Sequence, residues 1–426
     1  MKRSYTYSFI LILALAITCP AQDNANYDES KVPDYTLPKI LVNTKGKKIS
    51  TKEQWEKLRR PEILDMFADQ MYGKIPENDV KVSFKVIKQD DKALGGKAVK
   101  KEVLATFTGN GKKAEMNILI YLPHSVSGPA PLFLGLNFFG NHTLQPDPDI
   151  TLNPNWMRNS KDFGITENKA TEATRGIRNS RWPVEEIIQR GYGVATIYYG
   201  DIDPDFDDGF QNGIHPLFYK KGQTKPTEAE WGAIGAWAWG LSRALDYFET
   251  DSQVDHTKVA VLGHSRLGKA SLWAGAADER FALVISNDSG CGGAALSRRA
   301  FGETVQRINT SFPYWFNDNF TQYNGKEASL PFDQHMLIAL MAPRPVYVAS
   351  AQDDQWADPK GEYLSTYLAG EVYKLYNLPT LTSGEMPPVD QPLKEGTLGY
   401  HMRTGKHDIT LYDWTQYMDF ADKYFK

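Results

Sequence analysis

Cysteine is nearly absent: the 426 residues hold two, Cys19 and Cys291. Cys19 falls in a stretch with a basic start at Lys2 and Arg3, an apolar run from Phe9 to Ile17 and small residues up to Ala21. That is the pattern of a secretory leader, residues 1–21, and it predicts a secreted or periplasmic protein. Cleavage after Ala21 leaves Cys291 alone, which excludes an intramolecular disulfide and puts the burden of stability on a buried core. Long apolar runs are missing too. The leader's run is too short to span a bilayer and no later run is long enough, so no transmembrane segment is expected. Lipidation at Cys19 is the minority alternative, because Thr18 suits that signal poorly. Charge of one sign is also lacking: the net charge is −4, two units more negative once Lys2 and Arg3 leave with the leader. Neither value points to a nucleic-acid partner. Metal-ligand spacing is absent as well, so neither a metal nor another cofactor is expected. Asp201, Asp203, Asp205, Asp207 and Asp208 lack the loop glycine and terminal glutamate of an EF-hand and read as a solvated acidic loop.

What is present is a large apolar fraction, 41%, and 12% aromatics. The first suffices for a sizeable core; the second suits either that core or stacking on sugar rings. Residues 22–37 read as a polar, extended arm. Residues 82–86, 102–108 and 117–122 alternate as antiparallel strands. From Pro131 the pattern changes to short apolar runs at 132–136, 193–199, 259–262, 283–286 and 346–350, as expected of strands buried on both faces. Helical stretches at 184–190, 228–248 and 270–277 separate several of them, and 410–424 closes the chain. Alternating strands and helices behind antiparallel strands predict an α/β-hydrolase fold, a three-layer αβα sandwich with a mainly parallel sheet. Residues 38–426 read as one catalytic domain, interrupted by long connections at 140–182 and 296–339 of the kind that form lids or binding loops. Nothing in the sequence sets the oligomeric state, and a monomer is the default.

Gly263-His264-Ser265-Arg266-Leu267-Gly268-Lys269 organises the chemistry. It joins a buried strand to a helix in so sharp a turn that Ser265 is presented at the apex, the geometry of a nucleophile elbow. The second glycine stands at 268, one place later than the usual pattern. A serine hydroxyl needs a base, and the base needs a third group to fix its tautomer. His407, in the polar loop between a last strand near 398–402 and the final helix, has the right address; His401 would sit inside that strand. Asp354 follows the strand at 346–350 and Asp288 ends the strand at 283–286. Either acid gives the chain order of an α/β-hydrolase.

These residues, with Asn287-Asp288-Ser289-Gly290-Cys291-Gly292-Gly293, Gly302-Glu303-Thr304 and Leu136-Asn137-Phe138-Phe139-Gly140-Asn141-His142-Thr143, resemble the glucuronoyl esterases of carbohydrate esterase family fifteen. The resemblance runs from about Pro38 to the end. It implies a cofactor-free serine esterase cleaving the ester between (4-O-methyl-)glucuronate of glucuronoxylan and lignin alcohols. It also implies that Ser265 is the nucleophile, His407 the base, Arg266 the oxyanion ligand, and Lys269, Glu303 and Trp356 the substrate-binding residues. Fungal members carry a disulfide whose places are taken here by His264 and Lys406, and a glutamate where this chain has Asp288. Aspartate is one methylene shorter, which favours Asp354 as the acid and leaves Asp288 as the alternative. Two other functions stay open: a different secreted carbohydrate esterase, such as an acetyl xylan esterase, and a carbohydrate-binding homologue that has lost catalysis.

Overall fold

The computed structural model describes residues 25–77 and 79–426. The leader and Cys19 lie outside the described residues. Among the described residues, nine strands form one sheet: Lys81–Lys92 (β1), Ala98–Gly109 (β2), Lys112–Pro123 (β3), Ala130–Asn137 (β4), Gly193–Tyr198 (β5), Val254–His264 (β6), Leu283–Asn287 (β7), Val346–Ala351 (β8) and Leu398–Arg403 (β9). Their order is β1-β2-β3-β5-β4-β6-β7-β8-β9. β1 to β3 are antiparallel, β3 runs antiparallel to β5, and every pair from β5 to β9 is parallel. This is the α/β-hydrolase fold. The antiparallel strands run further than their alternating pattern indicated, because pairing continues into charged residues such as Lys88 and Asp90.

The parallel strands are apolar throughout because both faces are covered. Along β6, Val259 and Val261 pack on one side while Ala260 and Leu262 pack on the other. The first side is covered by helices Ala233–Phe248, Arg266–Ala277 and Pro359–Tyr373, the second by Val184–Gln189 and Leu411–Phe425. Pro359–Tyr373 has no clear apolar period in the sequence; two glycines and three tyrosines blur its stripe. Among the described residues, no helix is long and apolar enough to cross a membrane. Cys291 is a free, buried thiol.

In an open parallel sheet, loops leaving the carboxyl ends of the strands converge on one edge of the molecule. Here those loops follow β4 to β9 and carry Ser265, Asp288, Glu303, Asp354, Trp356 and His407, with Arg266 and Lys269 on the helix that leaves β6. The described part of the N-terminal arm reaches the same edge: Gly302 N–H donates to the Asn26 carbonyl at 2.8 Å. Glu29 pairs with Arg299 and, at 2.7 Å, with Lys360. The arm thereby ties down the chain next to Glu303.

Candidate active site

Ser265 sits between β6 and helix Arg266–Ala277 with φ 58 and ψ −130, a strained conformation for a residue with a side chain. The two glycines explain how the turn closes. A Cβ at Gly263 would meet the Leu267 carbonyl oxygen at 1.9 Å, and one at Gly268 would meet the Ser289 Cβ at 2.9 Å. The displaced second glycine is thus the contact point between the new helix and the loop after β7. The helix begins at Arg266, four residues ahead of its apolar pattern, and the Gly268 and Lys269 N–H groups of its first turn donate to the Ser265 carbonyl at 2.9 and 3.3 Å.

A cavity of 350 Å³ opens above this turn, and Ser265, Arg266, Lys269, Asp288, Glu303, Asp354, Trp356 and His407 all line it. Residues from the connections that follow β6, β7, β8 and β9 therefore meet in one place. His407 Nδ1 bonds Asp354 Oδ2 at 2.6 Å, with the acid buried and the imidazole partly exposed. That bond leaves Nε2 as the nitrogen for a partner in the cavity. Asp288 lies close, with ligand atoms of Asp288, Asp354 and His407 all within 4.8 Å of one another. Its two carboxylate oxygens are buried without a hydrogen-bond partner. Burial, then the charges of Glu362, Asp354 and Asp413, push its pKa far above the usual range. His401 is buried within β9, bonded to Asp413 at 2.8 Å and to the Tyr347 hydroxyl at 3.0 Å. His264 bonds Asn287, and burial followed by the neighbouring His407 drives its pKa well below 6.5, which favours the neutral ring; it lies 4.4 Å from the His407 ring, tilted by 39°.

Arg266 is held rather than free. Its guanidinium pairs with Asp205, whose carboxylate also accepts from Tyr199 and Tyr314 hydroxyls and the Trp315 indole, each at 2.9 Å. Burial opposes the charge on Arg266, but Asp205 together with Tyr199 and Tyr314 outweighs it, and the pKa is raised. Trp315, Phe312 and Phe138 rings surround the cation at 4.7, 5.5 and 5.8 Å. The 201–208 segment is therefore not a solvated acidic loop: Asp201, Asp203 and Asp205 are buried. They sit at the carboxyl end of β5, each facing donors, and only Asp207 and Asp208 reach water. A run of aspartates just past a buried strand was the signal available; it pointed to solvent because buried carboxylates are rare without partners, and the partners are remote in sequence.

Lys269 is buried and donates to the Ser289 and Cys291 carbonyls, both at 2.6 Å, with Glu303 Oε2 3.7 Å away. Burial raises the Glu303 pKa, partly offset by Lys269 and Arg266 and by the Trp356 indole. Together these three offer donors, acceptors and an apolar face to a ligand in the cavity. Glu362 was missed by the sequence reading; it is fully buried in helix Pro359–Tyr373. It accepts the Ser289 and Gly290 N–H groups at 2.8 and 2.9 Å and the Ser350 hydroxyl at 2.6 Å, fixing the loop that bears Asp288.

The sequence model described as "Glucuronyl esterase, fungi" matches residues 184–377. The chain is 55% identical to carbohydrate esterase MZ0003 from an unknown prokaryotic organism, over 93% of this chain and 91% of that protein. It is 33% identical to 4-O-methyl-glucuronoyl methylesterase 1 of Wolfiporia cocos, over 44% of this chain and 47% of that one. Among solved structures, a promiscuous CE15 esterase from a marine bacterial metagenome superposes with a TM-score of 0.88 at 55% identity, covering 93% and 99% of the two chains. The glucuronoyl esterase of Solibacter usitatus gives 0.86 at 47% identity, covering 92% and 99%.

Proposed function

The chain belongs to the glucuronoyl esterases of carbohydrate esterase family fifteen, carboxylic ester hydrolases that act on glucuronate esters, and on that premise we propose a Ser-His-Asp mechanism in the cavity above Ser265. Ser265 attacks the uronoyl ester carbonyl while His407 takes its proton through Nε2, and Asp354 stabilises the imidazolium through Nδ1. The tetrahedral oxyanion is received by the Arg266 guanidinium and the Arg266 backbone N–H. His407 returns the proton to the departing alcohol, and water repeats the sequence on the acyl-enzyme to free the uronic acid and Ser265. Lys269, Glu303 and Trp356 hold the uronate. Asp288 is a supporting or alternative acid.

The observation that carries this reading is the 2.6 Å His407–Asp354 bond inside the cavity that Ser265 and Arg266 also line. The substrate we infer is the ester joining (4-O-methyl-)glucuronate of glucuronoxylan to a lignin alcohol, met outside the cytoplasm after the leader directs export. The test is the ratio of kcat/KM on benzyl glucuronate to that on an aryl acetate. We expect the uronate to be preferred, with the preference lost in Glu303→Ala; a faster acetate in the wild type would instead make this an acetyl esterase.

A further inference from the structure

A second cavity, of 540 Å³, lies beyond the carboxyl ends of β4 and β5. Ligand pockets typically span ~300–1,000 Å³. The two cavities have no lining residue in common; the chain from Gly200 to Gly213 links them, pairing Asp205 with Arg266 of the esterase cavity and placing Asp201, Pro204 and Phe206 along one wall of the second cavity. Its other wall comes from β3 and from the 140–182 connection. Five asparagines, Asn117, Asn141, Asn153, Asn155 and Asn212, line it beside an aromatic pair, Trp156 and Phe206, whose ring centroids are 4.5 Å apart.

The amides are anchored. Asp201 accepts from Asn153 at 2.7 Å, Asn155 at 2.8 Å and the Asn117 N–H at 3.1 Å. The Asn141 amide donates to the Asn117 carbonyl at 2.8 Å. The Tyr198 hydroxyl fixes the Trp156 carbonyl at 2.7 Å. One acceptor is left over: the Asn117 side-chain oxygen is buried and has no hydrogen-bond partner. A buried polar atom left so costs roughly 1–3 kcal/mol. Lysine is present once, as Lys113, and it is engaged by Glu115. No cation is therefore set to receive a carboxylate or phosphate, while Asp201 adds negative charge. Fixed amides for vicinal hydroxyls and half-buried rings for the apolar face of a pyranose are the recognition chemistry of an uncharged sugar.

We propose that this cavity is a second binding site, for a neutral pyranose oligosaccharide, separate from the one that cleaves the ester. Nothing in the proposal depends on which ester the neighbouring cavity hydrolyses, since binding of an unesterified sugar is read without turnover. The experiment is calorimetric titration at pH 7.5 with xylotetraose and cellotetraose, and with trigalacturonate as the anionic comparator. We expect saturable binding of at least one neutral tetraose, weakened about tenfold or more in Trp156→Ala, the scale of losing an aromatic anchor. Trp356→Ala, in the other cavity, should leave that binding unchanged. If Trp156→Ala fails to fold, Asn155→Ala, at an exposed position, gives the same readout. The proposal is overturned by no saturation with either tetraose up to about 10 mM, weaker than any affinity of use to a binding site. It is equally overturned by trigalacturonate binding as tightly as the neutral sugars, or by affinity that falls in Trp356→Ala and not in Trp156→Ala or Asn155→Ala.

Discussion

Replacing Asp205 with asparagine removes the countercharge of Arg266 while keeping the shape of the side chain. Each carboxylate oxygen serves two donors: Oδ2 takes Arg266 and Tyr199, Oδ1 takes Tyr314 and Trp315. Asparagine has one oxygen, so its NH2 must oppose one of these pairs. A tyrosine hydroxyl can turn and accept, but neither a guanidinium nor an indole N–H can. Whichever way the amide faces, one fixed donor is repelled, and Arg266, with 22% of its side chain exposed, is left as an uncompensated cation in a mostly buried setting. Breaking a fully buried pair costs about 3–5 kcal/mol of stability, which is the upper limit here. If Arg266 is the oxyanion ligand, its displacement also removes ~2.7–4 kcal/mol of transition-state stabilisation, or about 10²–10³ in kcat. We expect Asp205→Asn to lose activity on benzyl glucuronate in that range, mainly in kcat, with a lowered melting temperature. The double variant Asp205→Asn/Arg266→Ala should be little slower than Arg266→Ala, because both changes act through one guanidinium. A kcat for Asp205→Asn within about threefold of wild type, far less than one lost donor, would refute the reasoning. So would losses that multiply in the double variant.

The two acids are separated by parallel substitutions: Asp354→Asn should lower kcat by about 10²–10⁴, since an amide holds the wrong imidazole tautomer, whereas Asp288→Asn should cost much less. Steady-state rates on benzyl glucuronate decide, and the reverse order would move the triad to Asp288. Glu362 gives a pH prediction for stability. Burial raises its pKa from 4.5 to about 7 in the folded protein. This carboxyl therefore supports the fold most fully below about pH 4.5, and that support is lost as pH rises to about 7. Glu362→Gln can keep the two backbone N–H bonds and donate to Ser350 without a charge. Calorimetry should find it more stable than wild type at pH 8, by up to about 3 kcal/mol, and nearly equal at pH 4.5. Equal melting at both values would mean that the carboxylate is ionised at no cost.

The elbow was legible because it is local: a buried strand, a run of small residues and a helix follow one another within a few positions, and steric demands at Gly263 and Gly268 leave marks in the sequence. The parallel core was legible for a similar reason, since strands covered on both faces must be apolar throughout. His407 and Asp354 were reached through their stations after β9 and β8, and the structure brings them within a hydrogen bond. Asp205 and Glu362 were not legible. Each is a carboxylate whose partners lie up to 110 residues away, as for Trp315 and Asp205, and burial of a charge depends on those distant donors. The starts of helices were misjudged where the first turn is polar: Arg266 begins its helix for the sake of the site, with no apolar stripe to announce it.

The most direct test is turnover of benzyl glucuronate by Ser265→Ala, with its melting temperature measured beside the wild type. The account predicts a folded protein whose kcat has fallen by about 10⁴-fold or more, as when an acyl-transfer nucleophile is removed. A folded Ser265→Ala protein retaining more than about a tenth of wild-type kcat, a loss under about 1.4 kcal/mol, would contradict it.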